Sequence, residues 1–322
     1  MTEIRRRRVA TNGVELDVLE AGAPGDPVVV LAHGFPESSH SWRHQIGPLA
    51  ERGYHVIAPD QRGYASSSAP AAVDAYRSDH LSRDLAGLLD DVDADDAIFV
   101  GHDWGAIVVW DLARFLPDRV RGVVNVSVPY TPWPMRPTEL LRATYGDRFF
   151  YILYFQQVGP PEAELDGNTA EFLRTIMWAA SADMFGPPPA ELPPMEGTGF
   201  IDALAAATTV PAGVPPWITA GEFGAYVDQF TASGFFGPLS WYRNLDADYE
   251  QTKDLPAPAM PCAFIGGRQD PVIAHRPEYV ESMVGLLPDF RGTTWIDDAG
   301  HWTQQEQPKA FNSALFDVLD RL

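Results

Sequence analysis

Gly101-His102-Asp103-Trp104-Gly105 follows directly on the apolar run Ala97-Ile98-Phe99-Val100 and precedes a stretch, as far as Phe115, with helical patterning. Glycine, a reactive side chain and a second glycine between a buried strand and a helix make the pattern of a nucleophile elbow. So tight a turn demands small residues on either side. It pushes the central side chain, Asp103, out past the strand end. An Asp at a strand-helix junction also serves as a plain helix cap, so the reading depends on what the rest of the chain brings to the same edge.

Upstream, Val14 to Glu20 alternates apolar and polar residues as a half-buried strand does. Val28-Val29-Val30-Leu31-Ala32 is continuously apolar, as in a strand covered on both faces, and ends in the breaker cluster His33-Gly34-Phe35-Pro36. A helix is expected from about Ser41 to Arg52, a strand over Tyr54 to Ala58, a loop at Asp60-Gln61-Arg62-Gly63-Tyr64, and a helix over about Ser78 to Asp91 with Leu81, Leu85, Leu88 and Leu89 on one face. Downstream, Val120 to Val128 reads as a strand. Strands alternating with helices imply a mostly parallel sheet flanked by helices, whose ligands bind beyond the carboxyl ends of the strands.

Between residues 132 and 254 the strand-like runs give way to aromatics, prolines and helix-like segments, among them Phe149 to Gln157, Ala170 to Ala180 and Glu222 to Ser233. We expect a helical cap, or lid, over 132–254, inserted into a core domain made of 1–131 and 255–322. The sheet pattern resumes at Cys262-Ala263-Phe264-Ile265 and at Thr293-Thr294-Trp295-Ile296, and a helix from about Lys309 closes the chain. Just past these two strands stand Asp270, in Gly266-Gly267-Arg268-Gln269-Asp270-Pro271, and His301, in Asp298-Ala299-Gly300-His301-Trp302. Nucleophile, acid and histidine thus succeed one another, each beyond a strand end.

Aspartate in the nucleophile's place decides the reaction class. A carboxylate attacking an acyl carbon would give an anhydride, whereas at a saturated carbon it displaces a leaving group and forms an alkyl ester. With an ordinary pKa of about 3.9, it needs no base for that step. His301 is then free to deprotonate water in a second step, with Asp270 holding the imidazole in the right tautomer. The resulting oxyanion calls for two backbone N–H donors, expected at Trp104 and at Phe35.

These motifs resemble those of the epoxide hydrolases of the α/β-hydrolase superfamily. The resemblance runs from about Gly13 to the end and rests on His33-Gly34-Phe35-Pro36, Asp60-Gln61-Arg62-Gly63-Tyr64, Gly101-His102-Asp103-Trp104-Gly105 and Gly300-His301-Trp302-Thr303-Gln304. Tyr151-Ile152-Leu153-Tyr154-Phe155-Gln156 and Gly237-Pro238-Leu239-Ser240-Trp241-Tyr242-Arg243-Asn244 extend it into the cap. It implies an α/β-hydrolase fold, an epoxide and water as substrates, and no cofactor. It also implies that Tyr151 and Tyr242 donate hydrogen bonds to the epoxide oxygen, with Tyr154 a close rival to Tyr151. A phenol, with a pKa of about 10, keeps its proton at neutral pH and can play that part. Trp104, Phe35, Trp241, Phe155 and Trp302 are expected to line the substrate pocket. The aromatic cap, with Trp133, Trp178, Phe149 and Phe235 besides, favours an apolar epoxide.

Haloalkane dehalogenases share the fold and the Asp nucleophile, and Trp104 and Asn125 are compatible with them. The paired tyrosines speak against that alternative, since a departing halide needs no proton. The residues after Asp103 (Trp104, Gly105, Ala106) carry no arginine to bind a fluoroacetate carboxylate. Asp103 disfavours a serine-type esterase or lipase. A silent binding protein on the same fold is disfavoured by the retained triad.

Bulk properties narrow the partners further. With 23 Lys and Arg against 44 Asp and Glu, the net charge of -21 repels nucleic acid and anionic lipid. Arg5 to Arg8 reads as a solvated edge strand. A single cysteine, Cys262, precludes an internal disulfide, reads as a small core residue and fits a reducing, cytoplasmic setting. No leader-like or membrane-spanning stretch is evident, and a monomer or homodimer is expected. The histidines show no metal-ligand spacing with carboxylate support. His40 and His44, four apart on the expected helix, read as a solvent-facing pair.

Overall fold

A computed structural model describes residues 3–189 and 191–322. Residues 1, 2 and 190, which fall inside the expected core and cap spans, lie outside the described residues. Eight strands form one sheet: β1 (Arg5–Thr11), β2 (Val14–Ala21), β3 (Val28–Ala32), β4 (His55–Asp60), β5 (Ala97–His102), β6 (Val120–Val126), β7 (Cys262–Gly267) and β8 (Phe290–Ile296). Their spatial order is β1-β2-β4-β3-β5-β6-β7-β8. β1 and β2 run antiparallel at one edge, and every pairing from β4 onward is parallel.

The period of two along each strand sorts the core onto two faces. Val28 and Val30 of β3, Phe99 of β5, Val123 of β6 and Phe264 of β7 pack on one face, with Leu81, Leu85 and Leu88 of the helix Ser78–Asp91 and Val108, Val109 and Leu112 of the helix Trp104–Phe115. Val29, Leu31, Ile98, Val100, Val124 and Ile265 point the other way, onto Trp42, Ile46, Leu49, Phe311, Leu315 and Val318. Both faces are therefore closed by helices, which is why these strands read as unbroken apolar runs. Cys262 is buried at the start of β7.

Several expectations need correction. The helix of about 41–52 is instead a 3-10 turn, Ser39–Trp42, followed by the helix Ile46–Glu51. Pro48 explains the break: its ring would clash with the carbonyl of His44 in a continuous helix, whereas Pro is tolerated in a first turn. His40 and His44 therefore do not form a helical, solvent-facing pair. The His40 ring packs edge-on against Tyr226 at 5.3 Å. Burial, helped by Arg43, pushes its pKa down to about 4. The basic run is an edge strand as expected, but is less freely solvated. Arg7 pairs with Glu20 and Asp91, and Arg6 lies 3.3 Å from Asp17 and 3.6 Å from Asp60.

Among the described residues from Pro137 to Thr252 the elements are helices and 3-10 turns, with one strand-like exception. Arg148 and Pro194 form an isolated antiparallel bridge, and Phe149 N–H donates to Pro193 O at 2.7 Å. Taking up that N–H outside a helix leaves only the single turn Tyr151–Tyr154 where a helix from Phe149 to Gln157 was expected. The expected helices 170–180 and 222–233 are present as Thr169–Ala179 and Ala220–Ser233. Among the described residues no helix is long and apolar enough to cross a membrane.

The helical segment meets the sheet edge at a backbone-to-backbone contact. A Cβ on Gly237 would stand 2.6 Å from Gly63 Cα. The Trp241 indole donates to Arg62 O at 3.2 Å beside it, and Arg62 is itself held by a buried pair with Asp84 at 2.7 Å. Gly237→Ala must force these two chains apart. It is expected to cost about 1–3 kcal/mol, as overpacking does. The check is a lower urea midpoint with an unchanged denaturation slope, and a wild-type midpoint would refute the contact.

Candidate active site

The loops that follow β3, β5, β7 and β8 converge on Asp103. At the elbow, Asp103 takes φ 51° and ψ −119°, a strained conformation for an L-residue. The helix that follows it runs so close to β3 that a Cβ on Gly105 would lie 2.1 Å from Ala32 O. Strand and helix together therefore fix where the carboxylate points.

Each carboxylate oxygen of Asp103 has a separate neighbour. Oδ1 accepts the backbone N–H of Phe35 at 2.8 Å. Oδ2 lies 3.4 Å from His301 Nε2, and His301 Nδ1 lies 3.1 Å from Asp270 Oδ1. Asp270 also accepts from Val272 N–H at 2.9 Å. Side-chain exposure falls along this chain from 18% at Asp103 to 6% at His301 and 0% at Asp270, so the outermost group is the one a ligand can reach. Burial disfavours charge on Asp103, but His301, then His102 and the Phe35 N–H, hold its carboxyl below the ordinary range. Burial likewise opposes charge on His301. Asp270 and Asp103 outweigh it and raise the imidazole well above its usual value.

The loop carrying Phe35 is itself locked. His33 Nε2 accepts Gln61 N–H at 3.0 Å, while its Nδ1 lies 2.9 Å from Gly34 O, so the neutral Nδ1–H tautomer satisfies both. Burial drives His33 down to about 4, keeping it in that form. The peptide Phe35-Pro36 is cis. Beneath the elbow, His102 bridges Glu37 Oε2 at 2.6 Å and the backbone carbonyl of His301 at 2.8 Å. Glu37 also accepts from Gln304 and Gln305. Burial would raise the Glu37 carboxyl, but His102 and then His33 hold it below the usual range. Sequence reasoning quoted His33, His102 and Gln304 only as motif letters and missed Glu37. The signal for Glu37 was a carboxylate directly after the Phe35-Pro36 breaker.

Two tyrosines roof the site. Tyr242, on the helix Phe236–Arg243, lies edge-on to Trp104 at 4.9 Å and to Phe35 at 5.5 Å, the two residues on either side of Asp103. Tyr151 meets Tyr242 at 5.8 Å and stacks on Phe200 at 5.6 Å. Burial first, and then the Asp103 charge with neighbouring tyrosines, pushes both phenols far above their usual range. Tyr154 is turned elsewhere, its hydroxyl donating to Glu164 at 2.7 Å. Gln156 donates to Tyr242 O at 2.9 Å, and Arg243 binds the carbonyls of Phe155 and Gln157, so the two tyrosine-bearing turns are fastened to each other.

Phe155 packs between Tyr151 and Tyr242, with centroids at 5.7 and 5.0 Å. Trp241 stands behind Trp104 at 5.9 Å, fully buried. Trp302 lies behind His301 at 4.9 Å with its N–H on Met177 O, forming the back wall of the imidazole. Asn125 is buried, and its amide donates to Ala106 O at 2.9 Å, which engages it with the elbow helix.

Residues 27–195 match the α/β hydrolase fold family, and the chain belongs to it. Epoxide hydrolase A of Mycobacterium tuberculosis is 46% identical over 98% of this chain and 97% of its own length, and epoxide hydrolase B of the same organism is 37% identical over 94% of each. The crystal structure of epoxide hydrolase A from Mycobacterium thermoresistibile superposes with a TM-score of 0.90 at 47% identity, covering 99% of this chain and 98% of that one. Within the α/β hydrolases, this chain is a member of the epoxide hydrolase family.

Asp103→Asn removes one of the two anions that hold the His301 proton. In ring-resolved NMR titrations His301 is expected to release its proton at lower pH in the variant than in the wild type. The stability that a raised histidine pKa contributes is complete below the unfolded value of about 6.5 and is lost as pH rises through the folded value. In Asp103→Asn that loss should begin at the same pH but be smaller and complete at lower pH. An unchanged titration would mean that Asp103 and His301 are uncoupled.

Proposed function

We propose that this chain hydrolyses an apolar epoxide to a vicinal diol through a covalent ester on Asp103. The chain works as a core, 1–131 with 255–322, under a cap, 132–254. The observation that carries the reading is Tyr242 lying against both Phe35, whose N–H holds Asp103, and Trp104, which follows Asp103 in the chain, with Tyr151 beside it.

Asp103 Oδ2, the oxygen free of the Phe35 N–H, attacks an epoxide carbon. The carbon–oxygen bond breaks, and the departing oxygen takes a proton from Tyr151 or Tyr242. Phenols held so firmly protonated suit donation to an alkoxide, the stronger base. Esterification erases the Asp103 charge, one of the anions that keep His301 protonated. The imidazole loses that support, gives its proton to solvent until the Asp103 charge returns, and is meanwhile available as a base, still oriented by Asp270. It takes one proton from water, and hydroxide adds to Cγ. Oδ1 then carries the negative charge, already beside the Phe35 N–H, with the Trp104 N–H the second expected donor. Collapse expels the diol oxygen, which takes the proton from His301. The acid proton left on Asp103 returns to the phenolate through solvent.

Halide release has no use for two phenol donors, and Asn125 is engaged by Ala106, so nothing in the site favours a dehalogenase. The rings of Phe35, Trp104 and Phe155 around Tyr242 support an apolar substrate, with Trp241 and Trp302 backing Trp104 and His301.

Single turnover of a styrene-type epoxide in heavy-oxygen water is the test. The label should enter Asp103 while the first diol leaves unlabelled. A label only in the diol would overturn the ester. Tyr151→Phe and Tyr242→Phe should each slow ester formation, by up to about 10²- to 10⁴-fold for the loss of a proton donor, and ester formation at wild-type rates in both would remove the tyrosines from the mechanism.

A further inference from the structure

Glu306 ends the single helical turn Thr303–Glu306, five residues past the catalytic-loop histidine. Its carboxylate does not face solvent as a glutamate on a short surface turn ordinarily would. Oε1 accepts the backbone N–H of Trp302 at 3.0 Å, and Oε2 accepts those of Gly300 at 3.1 Å and Ala182 at 2.9 Å. Gly300 and Trp302 are the two residues flanking His301. Ala182 belongs to the 3-10 turn Ala182–Met184 in the helical segment above the site. His301's own N–H is taken by that same segment, donating to Ala180 O at 2.8 Å. Three consecutive N–H groups around the imidazole are thus fixed, two by Glu306 and one by the cap, and Glu306 also grips the cap.

We propose that Glu306 is a positioning residue for the water-activation step, setting the His301 loop against the cap so that the imidazole stays in line between Asp103 and Asp270. This rests on the reading of His301 as the base for ester hydrolysis. The geometry explains why a carboxylate is needed. Three N–H groups converge on it, and both of its oxygens accept. An amide in its place offers one acceptor, and its NH₂ would face an N–H with nothing to give it. Either Trp302 or the Gly300–Ala182 pair then loses its partner. His301 shifts relative to the ester carbonyl, while Asp103 and the tyrosines, held by other contacts, stay in place. A misplacement of about 1 Å in a reacting group can cost on the order of 10²-fold.

The two steps read the proposal separately. In stopped-flow single turnovers of a styrene-type epoxide, Glu306→Gln should form the Asp103 ester at close to the wild-type rate. Ester breakdown should slow by about tenfold to 10²-fold, so that the ester accumulates and is seen by mass spectrometry. Glu306→Asp keeps the charge but is one methylene short, and should show the same selective slowing more weakly. It carries the test if Glu306→Gln does not fold. Equal slowing of both steps, or wild-type ester breakdown in a folded variant, overturns the proposal. His301→Gln, run alongside, separates the two readings. If that variant fails to accumulate ester, His301 is not the base and the function itself must be revised. If it accumulates ester and Glu306→Gln does not, only the role of Glu306 falls.

Discussion

Asp103 is held in a backbone conformation that an L-residue avoids, at a cost of about 1–3 kcal/mol. The rest of the site depends on that constraint. The cost is met by the packing of the elbow helix against β3 and β5, where Val108, Val109 and Leu112 enter the core and Gly105 sits against the β3 backbone. Because the carboxylate is placed by buried strand and helix, its two oxygens are distinguishable before any ligand arrives. One rests on the Phe35 N–H and the other faces His301.

Around this fixed point the site is built in shells of increasing indirectness. Asp270 and His301 meet it through side chains. His33, His102 and Glu306 act on peptide groups instead, setting the loops from which the first set projects, and Glu37 holds His102 in place. Tyr151 and Tyr242 come from separate turns of the helical segment, and Gln156 and Arg243 fasten those turns by their carbonyls.

The sheet and the convergence of Asp103, Asp270 and His301 were legible because each lies where an apolar run stops, and strand ends in a parallel sheet share one edge. The helix Ser78–Asp91 was legible to its ends because its leucines repeat at helical spacing. The region near Phe149 was not. Its pairing with 193–195 joins segments more than 40 residues apart, and neither alternates strongly enough to announce a strand. Glu306 and Glu37 were illegible for a related reason: a carboxylate that serves buried N–H groups, of backbone or side chain, looks in sequence like one that serves water. His40 was misread because Pro48 interrupts the helix on which its exposure was judged.

The arginines of β1 bear on how a substrate arrives. Arg6 and Arg7 are committed to Asp17, Asp60, Glu20 and Asp91 at one edge of the sheet, so this dense block of cations is locally neutralised. The chain's net excess of 21 negative charges is therefore not broken at this edge by a free basic patch. Diffusing molecules meet that far field within about one Debye length, roughly 10 Å at 0.1 M salt. Uncharged epoxides cross it without penalty, whereas those bearing a free carboxylate are turned back more often the lower the ionic strength. The protein's charge thus selects among substrates by sign before any pocket wall touches them.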